Sequence, residues 1–175
     1  MYYSTGDKLA EGKYIDKLKD STWLSYGEGN KIVQKGDYRK GEKQGVWQTF
    51  FQDGGVSAEM SFYNDQKDGP FRMFYTDGKV KDSSNFKAGK LHGLTTIYDS
   101  DGKKIIEGIY TWGERDKEWS YYGEEGEVNK VLMYKNGRLM NPQDLENILQ
   151  EVDKFSGNRK DVLEFEDLRG TINYE

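Results

Sequence analysis

Residues 45–69 read GVWQTFFQDGGVSAEMSFYNDQKDG, and residues 69–93 answer with GPFRMFYTDGKVKDSSNFKAGKLHG. Laid over each other, Phe50 falls on Phe74, Gly54 on Gly78, Val56 on Val80 and Phe62 on Phe86, at an offset of 24 residues. The same period runs outward in both directions. Gly6, Gly54, Gly78, Gly102 and Gly126 lie on one grid, and Asn30 takes the remaining node. Asn is the side-chain-bearing residue that best tolerates a left-handed backbone, so it fits a turn glycine's place. Eight residues after the nodes come Tyr14, Tyr38, Phe62, Phe86, Tyr110 and Tyr134; four before them come Tyr2, Tyr26, Phe50, Phe74, Tyr98 and Tyr122. Seven before, the series is Trp23, Trp47, Phe71, Thr95 and Trp119, with Thr95 its one lapse. A period kept without insertion or deletion marks a repeat array.

Each unit places two ring-bearing runs around a glycine turn, which is the signature of a β-hairpin. A three-residue loop with glycine in the left-handed position sets Phe51 opposite Gly55 and Phe50 opposite Val56. Strand alternation then predicts that Phe50, Val56, Ala58, Met60 and Phe62 share one face. Trp47 falls on the other face with Phe51, Glu59 and Tyr63, unless a bulge near Gln48 turns it back. The reading favours rings on both faces. A lone hairpin is marginal in water, so each unit needs its neighbours. The expected fold is all-β: an elongated, monomeric antiparallel meander of about a dozen strands, one unit stacked on the next.

Composition agrees. The chain has 13 Tyr, 8 Phe and 4 Trp with 21 Gly and 2 Pro, while hydrophobic residues make up 34% and charged residues 33%. Rings and glycines in place of aliphatics suit short strands and tight turns. There is no Cys, which removes disulfides and thiol chemistry, and the single His leaves most metal sites and His-based catalysis without ligands. No apolar run approaches the roughly 20 residues of a membrane span.

The two quoted units resemble the MORN-variant repeat of bacterial YwqK-like proteins, a resemblance that covers roughly residues 2–141. It implies a hairpin-array fold, protein binding and an antitoxin-like role, and it brings no catalytic residues. The first unit is degenerate between Ile15 and Ser21, and the chain opens mid-unit at Tyr2-Tyr3. As given, the chain reads as cytoplasmic, or as periplasmic or surface-located if an upstream leader has been removed.

Two regions follow, a hairpin array over 1–141 and an acidic tail over 142–175. Asn141 suits a helix N-cap and Pro142 a first helical turn; Leu145, Ile148, Leu149, Val152 and Phe155 keep helical spacing. A helix over 142–155 that caps the last hairpin around Tyr122 and Tyr134 is expected, with a partner-binding helix as the alternative. The tail from 142 holds nine acidic and four basic residues, and the array 22 of each. A neutral array has no general attraction for nucleic acid or anionic membranes.

The sequence carries few groups suited to catalysis or metal binding. His92 reads as a loop residue bonded to backbone, and pairs such as Glu124-Glu125 as solvated charge. No glycine-rich turn opens onto a helix with a following GK[ST]. No catalytic, metal or cofactor site is predicted. Phe51, Tyr63, Tyr75 and Tyr121 stand where other units carry residues without rings, so the fold does not demand them. These four form the expected partner surface. The function expected is a non-catalytic protein-interaction module of antitoxin or immunity type, with glycan or cell-envelope binding as the alternative.

Overall fold

The computed structural model describes residues 1–4 and 6–140. The helix expected at 142–155 lies outside the described residues. Within them the chain forms one open antiparallel sheet in which neighbours in sequence pair, except that the seventh strand pairs with both the eighth and the ninth. The strands are β1 (Ala10–Ile15), β2 (Leu18–Tyr26), β3 (Ile32–Arg39), β4 (Glu42–Phe50), β5 (Val56–Tyr63), β6 (Gln66–Phe74) and β7 (Val80–Lys87). They continue with β8 (Lys90–Leu91), β9 (Gly93–Tyr98), β10 (Lys104–Thr111), β11 (Glu114–Tyr122), β12 (Val128–Lys135) and β13 (Arg138–Leu139). The all-β meander read from the repeat is the observed architecture.

The turn grid holds in detail. Gly6, Gly54, Gly78, Gly102 and Gly126 all have positive φ, and Asn30 joins them at +56°. In the quoted unit Phe51 N–H donates to Gly55 O at 2.8 Å and Gly54 N–H to Phe51 O at 3.0 Å, which closes the expected three-residue loop.

The expected face assignment needs correction. Phe50 pairs with Val56, but Thr49 pairs with Ala58, so Ser57 is bulged and the face changes between Val56 and Ala58. Trp47 pairs with Met60 and its ring lies 6.1 Å from that of Phe62. Trp47, Met60 and Phe62 therefore share the core face, and alternation sends Phe50 to the other side. Rings do occupy both faces, but in a different grouping. A second irregularity sits beside Gly45, where the pairing of β3 with β4 slips between Lys35–Gln48 and Asp37–Gln44. Gly45 (φ +67°), Gly69 (+103°) and Gly93 (+96°) occupy this bulge, with Ser21 (+61°) and Lys117 (+59°) in the equivalent places.

The core is one row of side chains running across the strands. Trp23 faces Gly36, Trp47 faces Met60, Met60 faces Phe71, Phe71 faces Ser84, Thr95 faces Gly108, and Trp119 lies between Gly108 and Leu132. Each of the three buried indoles lies over a glycine, Trp23 over Gly12, Trp47 over Gly36 and Trp119 over Gly108. Indole Nε1 of Trp23, Trp47 and Trp119 then donates to the carbonyls of Lys13, Asp37 and Ile109 at 3.1, 3.2 and 3.2 Å. A buried indole N–H needs such a partner. The +8 rings stand edge-on to the indoles, as in Tyr14–Trp23, Tyr38–Trp47 and Tyr110–Trp119, at 4.9–5.0 Å.

Candidate functional site

Among the described residues no second layer covers the ring face of the sheet, and cations from the turns lie over it. Lys19 Nζ lies 4.6 Å from the Trp23 ring, Lys43 Nζ 4.5 Å from Trp47, and the Arg115 guanidinium 4.4 Å from Trp119. These residues share one repeat position, where Lys67 covers Phe86 at 5.3 Å and Leu91 packs against both apolar clusters. These half-buried side chains shield the rings with their charged heads seated over the ring faces. Burial pulls the Lys43 and Lys67 ammonium groups below the usual lysine range.

The turns divide between two edges, and each edge stitches one unit to the next. On the glycine-node edge Lys31, Lys79 and Lys103 reach the carbonyls of Gln52, Ser100 and Glu124 at 2.9, 2.8 and 2.5 Å. On the opposite edge the backbone N–H of Gly41, Gly89, Gly113 and Gly137 donates to the carbonyls of Lys19, Lys67, Leu91 and Arg115. There Asp20 and Asp68 also accept the N–H of Lys40 and Ala88 at 3.2 and 3.0 Å.

His92 occupies the place of Asp20 and Asp68, and its Nδ1 faces the Trp112 N–H at 3.4 Å. The backbone role read for it is the one observed. Trp112 is the residue the sequence reading missed. It sits at a turn position with φ +54°, where other units carry Asp16, Lys40, Asn64, Ala88 or Asn136. Its ring is 49% exposed, 5.0 Å from the His92 ring, and Lys87 Nζ lies 5.8 Å from its centroid. A bulky side chain at positive φ costs free energy that the turn does not require. The signal was present: Trp112 is a ring where other units have none, outside the ring series of the grid.

The four rings selected from sequence do not converge. Tyr63, 65% exposed, lies on the same edge as Trp112, two turns away. Phe51 and Tyr75 lie on the glycine-node edge and are half-buried. Tyr75 hydroxyl donates to Tyr98 O at 2.8 Å, so this ring is tied into the next unit. Tyr121 packs into the second apolar cluster, and Arg115 Nη1 donates to its hydroxyl at 3.2 Å. Burial pushes the Tyr121 phenol up to about 12; the Arg115 charge works against this and Tyr134 adds to it.

Between the two apolar clusters lies a sealed polar one. Asp82 is 0% exposed; Ser84 Oγ donates to its Oδ1 at 2.5 Å, and Thr95 Oγ1 donates to Ser84 Oγ at 3.1 Å. Thr95 stands at the lapse in the tryptophan series, and Ser84 takes the place of the glycine beneath it. Ser84, at 1% exposure, opens onto no cleft. The three residues are a hydrogen-bonded substitute for an indole–glycine pair.

Residues 67–88, one hairpin of the array, match the family model described as MORN repeat variant. With the period that carries the same unit along the sheet, the match supports a MORN-variant repeat protein. No curated protein matches the chain.

Proposed function

We propose that this chain is a non-catalytic, monomeric protein-interaction module whose partner surface is the turn edge bearing Trp112 and Tyr63. One observation carries the reading: a half-exposed tryptophan is held at positive φ, in a turn that other units build from Asp, Lys, Asn or Ala. Aromatic side chains are enriched at interfaces, and Trp and Tyr anchors are among the residues that dominate their binding energy. The narrower version is a bacterial, YwqK-like antitoxin or immunity-type partner, which rests on the resemblance of the repeat. The test is a pull-down from the native host with the wild-type chain and with Trp112→Ala and Tyr63→Ala. Retention of one protein by the wild type and its loss from both variants, with melting unchanged, supports the reading. Equal retention by all three removes this edge from consideration. Binding to a glycan array that disappears in Trp112→Ala would replace the protein partner with a sugar.

The capping helix belongs to the same proposal. β13 pairs with β12 only through Tyr134–Leu139 and Lys135–Arg138, so much of the outer edge of β12 is uncovered among the described residues. An open edge templates association unless it is covered. The apolar stripe Leu145, Ile148, Leu149 and Val152 is suited to that task. Tyr122 and Tyr134 lie on opposite faces of the sheet, so such a helix would straddle the edge.

A further inference from the structure

The 22 basic and 22 acidic residues that make the array neutral are not mixed evenly in space. The turns at 15–20, 39–44, 63–68, 87–92, 111–116 and 135–138 lie along one edge and hold eleven Lys/Arg against seven Asp/Glu. Those at 6–8, 27–31, 51–55, 75–79, 99–103 and 123–127 lie along the other and hold four against nine. The ion pairs Lys8–Glu11, Lys79–Asp77 and Lys104–Glu107 all lie away from the first edge. Its Lys40, Lys87, Lys90, Lys135 and Arg138 are exposed.

We propose that the acidic segment 161–167 of this same chain (DVLEFED) docks along the basic edge. Three observations argue for this occupant. The tail from 142 carries nine acidic residues against four basic ones, the complement of that edge. The described chain ends at Met140, just past the Asn136-Gly137 turn that belongs to the basic edge, with Met140 N–H bonded to Met133 O at 2.8 Å. Length permits it as well: with 142–155 helical and the other six residues extended, 141–160 span up to about 40 Å. Lys87 and Lys90 lie four strand steps of about 4.8 Å from the Asn136-Gly137 turn, on the order of 20 Å and within that reach. Val162, Leu163 and Phe165 would place apolar groups beside the exposed Trp112 and Tyr63. The inference stands whether or not an external partner uses the same edge. If one does, the tail competes with it.

Zero-length carbodiimide cross-linking of the full chain tests the proposal. At low salt it should join carboxylates of 161–167 to Lys87, Lys90 or Lys135 within one molecule. Those links should fall at least fivefold in 0.5 M NaCl, where the Debye length shrinks to about 4 Å. The full-length variant D161N/E164Q/E166Q/D167N should lack them and bind fluorescent poly-glutamate at least tenfold more tightly, because its basic edge is vacated. Links that are scattered over both edges, links that join two chains, or unchanged poly-glutamate affinity would each overturn the proposal.

Discussion

Gly36 lies directly beneath the indole of Trp47, so that a Cβ at that glycine would stand less than 3.0 Å from Cγ, Cδ2 and Cε2 of the ring. Gly12 under Trp23 and Gly108 under Trp119 repeat the relationship. Where Trp gives way to Phe71 the opposing residue is Met60, and where it gives way to Thr95 it is Ser84. The pair is therefore the unit of core packing, and its two members are 11 residues apart in every repeat.

Gly36→Ala should destabilise the chain by at least about 2 kcal/mol, because the methyl group has no space that the indole can yield without losing its bond to Asp37 O. Gly36→Ser combined with Trp47→Thr copies the Ser84–Thr95 pair and should be less damaging than Gly36→Ser alone. Chemical denaturation of the single and double variants measures this coupling. A neutral Gly36→Ala would refute the packing.

Lys117→Gly and Ser21→Gly should each stabilise the fold by roughly 1 kcal/mol. Both residues hold left-handed backbone at the bulge where Gly45, Gly69 and Gly93 stand, and glycine adopts it without steric cost. A fall in melting temperature would mean that the side chains contribute more than the backbone strain costs.

Phe62→Ala should cost about 3–5 kcal/mol, since the ring is buried against Trp47, whereas Tyr63→Ala should stay within about 0.5 kcal/mol. Tyr75→Phe should lie between them, near 1 kcal/mol, through loss of the bond to Tyr98 O. Equal melting shifts for Phe62→Ala and Tyr63→Ala would reverse the face assignment.

Alkaline stability should depend on Tyr121. Its phenol is raised from 10.0 to about 12, so the folded state favours the neutral form. That contribution is complete below the unfolded value near pH 10 and is lost as pH rises through about 12. The linked stability is on the order of 2–3 kcal/mol. Tyr121→Phe should flatten the pH dependence of the denaturation midpoint above pH 10. An unchanged slope would place the titrating group elsewhere.

Truncation after Asn141 should lower the melting temperature and promote association while preserving the β signal. It removes the segment proposed to cover the edge of β12. Thermal melts with light scattering check this, and an unchanged, monodisperse array would exclude the cap.

The repeat was legible in the sequence because each turn needs positive φ and each hairpin needs rings, and both demands recur at a fixed interval. The grouping of rings was hidden by the bulge at Ser57, which carries no distinctive residue and changes the face of everything after it. The Gly45, Gly69 and Gly93 series was visible, but a glycine marks a bulge and a unit boundary alike. Trp112 lies off the ring grid, and its significance comes from departing from the Asp, Lys, Asn or Ala that other units place in that turn. The charge segregation escaped because a sum over the array cancels two opposite edges.

The open sheet itself is tested most directly by one distance. The chain has no native cysteine, so Asp16→Cys and Asn136→Cys place single spin labels at the first and last turns of the basic edge. Ten strand steps of about 4.8 Å separate those turns, and with the usual twist of a sheet the labels should lie about 40–50 Å apart by pulsed electron–electron resonance. A narrow distribution below about 25 Å would mean that the strands roll up or fold into two layers, and would contradict the open array.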